Sequence, residues 1–65
     1  MANKKIYKTV IANQLNLREK PVVNSEVVTI IPNGSKLEIT SLKINGFYEV
    51  KFKDYTGYVM SKYIK

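Results

Sequence analysis

The chain has 65 residues with no Cys and no His, which leaves room for one domain and removes disulfide and thiol- or imidazole-based zinc frameworks. Eleven basic residues against five acidic give a net charge of +6, a surface that attracts polyanions or is simply a basic solvated face. With 45% apolar residues the core must come from aliphatic and aromatic side chains alone.

The opening residues 1–5 read as a short tail: Lys4 and Lys5 supply charge, but no apolar stretch of signal-peptide length follows. No run approaches the ~20 apolar residues of a membrane-spanning helix. From residue 6 onward the pattern is short β-branched and aromatic runs broken by Gly, Pro, Asn and Asp, without helical periodicity, which predicts an all-β domain over 6–65. A first strand is expected over Tyr7–Ala12 and a second over Leu15–Arg18. Alternation turns Leu15 and Leu17 inward and Asn16 and Arg18 outward, where Asn16 is expected to bond nearby backbone and Arg18 to meet a carboxylate or pack its stem. A loop over Glu19–Ser25 leads to a strand over Val27–Ile31, ended by Pro32-Asn33-Gly34, whose glycine can take positive φ.

Asn45-Gly46 is the strongest local signal, because a two-residue type I′ turn needs positive φ at both central positions. Running the pairing back from that turn sets Ile44 opposite Phe47, Lys43 opposite Tyr48, Ser41 opposite Val50, Ile39 opposite Phe52 and Glu38 opposite Lys53. One face then holds Leu37, Ile39, Ser41, Tyr48, Val50 and Phe52, the expected core side. The other is polar except beside the turn, where Leu42, Ile44 and Phe47 form an outward apolar group. Such a group is either capped by another part of the barrel or offered to a ligand. Asp54–Gly57 reads as a further turn, Tyr58–Met60 as a strand, and Ser61–Ile64 as a single 3₁₀ turn leading into a last short strand.

Three segments in this order resemble the bacterial SH3 (Src homology 3) family: Leu15-Asn16-Leu17-Arg18 with Pro21, Asn45-Gly46-Phe47-Tyr48-Glu49-Val50, and Thr56-Gly57-Tyr58-Val59-Met60-Ser61-Lys62-Tyr63-Ile64. They are similar to that family's "LNVR…P", "NGWYKV" and "TGYVSSKYL" stretches, and the likeness runs from about Tyr7 to Ile64. The resemblance implies a small, partly open barrel of five or six strands, used as a binding module. Such modules are appended to peptidoglycan hydrolases and other envelope proteins. It implies a ligand groove lined by aromatics, carried here by Phe47, Tyr58 and Tyr63, with Met60 on its floor and Ile44 beside it. Phe47 stands where the family has Trp, keeping an apolar ring and losing the indole donor. Met60 stands where SH3 domains of the eukaryotic branch have Pro.

The expected function is therefore non-catalytic binding of cell-wall peptide or another peptide ligand, by a domain that is monomeric in isolation and needs no cofactor or metal. A secreted parent protein would place it at the cell wall or outside the cell. The alternatives are a binder of nucleic acid or anionic polymer through the basic surface, and a domain that docks on its own parent. Catalysis is not expected, since the five carboxylates are spread over different strands, with Glu38 and Glu49 beside lysines on the polar face.

Overall fold

A computed structural model describes residues 5–65. Six antiparallel strands, β1 (Ile6–Thr9), β2 (Gln14–Arg18), β3 (Val27–Pro32), β4 (Lys36–Ile39), β5 (Phe47–Phe52) and β6 (Tyr55–Met60), are followed by a 3₁₀ turn over Ser61–Tyr63. The strands form one sheet in the order β1-β4-β5-β6-β2-β3, a small partly open barrel. Of the tail expected over 1–5, all but Lys5 lies outside the described residues.

Alternation along the strands builds the core. Leu15, Leu17, Ile31, Leu37, Val50 and Val59 are buried together with Val10 and Ile64, and Ala12, Ile39, Tyr48 and Phe52 pack around them. Each fully buried aliphatic side chain is worth about 1.5–3 kcal/mol, which in a domain of this size makes every one of them matter. Ile64 reaches the core because the 3₁₀ turn hands the chain back to the barrel's start, where Ile64 bridges Val10. The first strand is shorter than the sequence suggests, ending at Thr9, with Val10 bridged to Ile64 and its backbone bonded to Ser35 and Gly34.

The expected turn at Asn45-Gly46 is present, with φ of 53° and 81°, and Ile44 and Phe47 exchange both backbone bonds across it (2.7 and 2.8 Å). Gly34 likewise adopts positive φ after β3. Beyond Ile44 the register differs from expectation. Ile39 pairs with Val50 and not with Phe52, and Glu38 pairs with Lys51 and not with Lys53. The cause lies at Ser41-Leu42-Lys43. Thr40 N–H donates to the Glu49 carbonyl (2.8 Å), so these three residues span the single residue Tyr48 on the facing strand. Ser41 compensates, its hydroxyl oxygen accepting from Glu49 N–H (3.1 Å) in place of a ladder carbonyl. A slip of two residues preserves side-chain parity, so the core assignment of Leu37, Ile39, Val50 and Phe52 survives it.

The turn expected over Asp54–Gly57 is instead confined to Lys53 and Asp54, with Lys53 at φ 54°, and Thr56 and Gly57 lie inside β6. Gly57 sits there because β2 crosses close by. A Cβ at this position would lie 2.6 Å from the Arg18 carbonyl oxygen and 2.9 Å from Leu17 Cγ. This close approach brings Arg18 opposite Tyr58 and joins the β2-β3 and β5-β6 hairpins into one sheet.

Candidate functional site

On the face of β2 opposite the core, Gln14, Asn16 and Arg18 recur at every second residue. β6 contributes Tyr58 and Met60 to the same face, since Tyr58 pairs with Arg18. Met60 hands the chain directly to the 3₁₀ turn that carries Tyr63. Between these elements lies a cleft of about 280 Å³ lined by Gln14, Leu15, Asn16, Arg18, Met60 and Tyr63. One wall is polar and without an acidic group, and the other is apolar and aromatic.

Hydrogen bonds fix each wall. Asn33 anchors the start of β2, its side-chain amide donating to the Ala12 carbonyl (2.9 Å). The 3₁₀ turn is held at both ends: Ser61 N–H donates to the Gly46 carbonyl (2.9 Å), and the Tyr63 carbonyl accepts from Ile11 N–H (2.9 Å). Tyr63 thus stands on a braced segment, with the Lys62 ammonium 5.2 Å from its ring centroid.

Arg18 is held by the loop that follows it. Its guanidinium donates to the Ser25 carbonyl (2.8 Å), a backbone partner in place of the carboxylate that was one of its two expected roles. Ser25 in turn closes the loop, its hydroxyl accepting from Lys20 N–H (3.2 Å) and donating to the Lys20 carbonyl (2.9 Å). The loop also reaches the hairpin tip, where the Asn45 side-chain amide donates to the Pro21 carbonyl (3.1 Å).

The five residues singled out in the sequence are not gathered in one place. Met60 and Tyr63 line the cleft. Tyr58, half-buried, lies beyond it opposite Arg18 and Glu49. Ile44 is exposed at the hairpin tip. Phe47, expected as an outward platform, is only 3% exposed, and it is capped by the protein outside the central core cluster. Of the two readings of that outward apolar group, capping holds for Phe47, while Leu42 at 87% exposure and Ile44 stay open. Of the polar residues along the cleft, Gln14 was not singled out in the sequence, and Asn16 and Arg18 were given structural roles there. The alternation that turned Asn16 and Arg18 outward was the available signal, but only the β2-β6 pairing shows that Met60 faces them across a cleft.

Among the described residues there is no group of three or more Asp and Glu placed to hold a metal ion. No helix among them is long and apolar enough to cross a membrane.

Comparison with known proteins agrees with this architecture. The chain is similar to the probable endopeptidase p60 of Listeria seeligeri, with 34% identity over 65 residues covering 98% of this chain and 12% of that protein. The probable endopeptidase p60 of Listeria monocytogenes is 33% identical over 64 residues, covering 97% of this chain and 13% of that one. The chain therefore spans only about an eighth of these relatives. Among solved structures, NlpC2 and NlpC1 from Trichomonas vaginalis superpose with TM-scores of 0.87 and 0.86 at 19% and 21% identity. Each alignment covers 95% of this chain and 23% or 22% of theirs, a likeness of fold. The sequence model of the bacterial SH3 domain matches residues 13–65, nearly the whole barrel, and the chain belongs to the bacterial SH3 domain family.

Proposed function

We propose that this domain, residues 6–65 behind a short tail, is a binding module that holds a parent protein such as a peptidoglycan hydrolase to cell-wall peptide or another peptide ligand. The observation that carries the reading is the cleft between β2, Met60 and Tyr63, which sets amide and guanidinium groups against an apolar wall. Clefts with a few convergent polar groups on an apolar lining are where small ligands bind. At about 280 Å³ it suits a short segment more than a folded partner. The relatives named as endopeptidases favour a hydrolase parent, with the module at the cell wall or outside the cell. Met60 and Tyr63 make the apolar contact, Tyr58 extends the surface past Arg18, and Ile44 adds an apolar rim at the hairpin tip. Phe47 serves this surface from beneath, as buried support.

Sedimentation with purified cell walls tests the reading. The domain is expected to co-sediment, and Met60→Glu, which places a carboxylate at a half-buried position in the cleft wall, to stay in the supernatant while keeping the native circular dichroism spectrum. Undiminished retention of a folded Met60→Glu variant removes the cleft from the function.

The net charge of +6 favours a second reading, binding of nucleic acid or another anionic polymer. Docking on a neighbouring domain of the parent would use the same cleft.

A further inference from the structure

Three polar side chains, Gln14, Asn16 and Arg18, follow one another along one wall of the cleft and end in a guanidinium. We infer that the cleft takes an extended peptide with its carboxylate at Arg18, its backbone running antiparallel or parallel beside the outward side chains of β2. The inference deepens the peptide-binding reading and rests on it.

Spacing is the first argument. Alternate residues of a strand repeat at about 7 Å, the same repeat as alternate residues of an extended ligand. Each side-chain amide carries both a donor and an acceptor, so Gln14 and Asn16 can each answer a peptide N–H and C=O two residues apart. Among the described residues neither amide is engaged in a side-chain hydrogen bond, whereas those of Asn33 and Asn45 both are. The facing wall of Met60 and Tyr63 takes small apolar side chains of the same segment.

Charge is the second argument. The cleft lining contains no Asp or Glu, and its one ionised group is Arg18. The bond to the Ser25 carbonyl orients that guanidinium and occupies one of its five N–H groups, leaving the fork able to pair with a carboxylate. At Arg18, β2 gives way to the loop closed by Ser25, and the cleft lining stops there. A peptide that ends at this point presents a terminal carboxylate, and one that turns away there presents an acidic side chain.

The test is a nuclear magnetic resonance titration of the ¹⁵N-labelled chain with N-acetyl-tri-alanine in all-L and all-D forms, the same peptides as C-terminal amides, and an amide-capped peptide with internal Asp. The free acid of one hand should shift the amides of residues 14–18 and 60–63, and amidation should weaken binding about tenfold or more, because charge-assisted hydrogen bonds are about twice as strong as neutral ones. Rescue by the internal Asp peptide assigns the carboxylate to a side chain, and no rescue assigns it to a chain end; either supports the inference. The wild-type comparison needs no mutation, and Arg18→Gln, which removes the charge, should lose most of the acid-over-amide preference. Equal binding of acid and amide at these residues overturns carboxylate recognition and leaves the peptide-binding cleft standing. No shift in the cleft with any of the peptides overturns the inference, and loss of cell-wall retention as well would overturn the function it rests on.

Discussion

Phe47 and Met60 lie directly opposite each other across the β5-β6 pair, yet the ring of Phe47 is capped while Met60 opens onto the cleft. One residue carries stability and its neighbour carries contact. Truncating Phe47 to Ala should cost about 3–5 kcal/mol, the usual range for a buried aromatic. In a barrel of this size that is most or all of the folding free energy. Urea denaturation followed by circular dichroism is expected to show Phe47→Ala largely unfolded in buffer. A stable, folded Phe47→Ala chain would mean that the ring contributes little to the barrel.

Gly57 is the tightest point of the sheet. Gly57→Ala should destabilise by about 1–3 kcal/mol, because its Cβ meets the rigid Arg18 carbonyl as well as Leu17. The Arg18–Tyr58 pairing should loosen with it. Amide exchange at Tyr58 is expected to accelerate in the variant before exchange at Leu37, which lies on β4, two strands away in the sheet; unchanged thermal stability would contradict the close approach.

The hairpin tip separates two effects of one residue. Asn45→Gly keeps the positive φ of the turn but loses the bond to the Pro21 carbonyl, so it should leave the β4-β5 pairing intact while freeing the Glu19–Ser25 loop. Asn45→Ala loses both and should be the less stable of the two, by roughly 1 kcal/mol. Thermal melts rank the pair, and exchange of the Ser25 amide reports the loop. Equal stability of the two variants would show that backbone conformation at this position is not limiting.

Much of this barrel was legible in the sequence because its signals are local. Asn45-Gly46 specifies its turn through backbone sterics, alternation separates Leu15 and Leu17 from Asn16 and Arg18, and Ser61–Ile64 is too short for more than one 3₁₀ turn, the last short strand expected after it being a single bridge at Ile64. The two-residue slip at Ser41-Leu42-Lys43 was not legible, since it depends on the Ser41 hydroxyl replacing a carbonyl in the ladder. Its even size explains why Leu37, Ile39, Val50 and Phe52 still fell on the core side. The capping of Phe47 and the cleft at Met60 were hidden for a different reason. Both arise where segments distant in sequence meet: Asn45 with Pro21, Gly46 with Ser61, Arg18 with Tyr58.

Salt separates peptide recognition from polyanion binding. Retention on cell walls through the cleft should fall modestly between 50 and 200 mM salt, as expected for a single charged contact. Binding to single-stranded DNA driven by the +6 charge would fall steeply and log-linearly over the same range. Sedimentation and a DNA mobility assay run in parallel make the comparison. A steep salt slope on cell walls would favour the anionic-polymer reading.

The most direct measurement is the map of amide shifts when soluble cell-wall peptide fragments are added to the ¹⁵N-labelled chain. Binding in the cleft predicts that the largest changes fall on Gln14, Asn16, Arg18, Met60 and Tyr63, with Leu42, exposed at the β4-β5 connection, left unmoved. Changes concentrated instead on the lysines of other faces, with residues 14–18 and 60–63 silent, would contradict it.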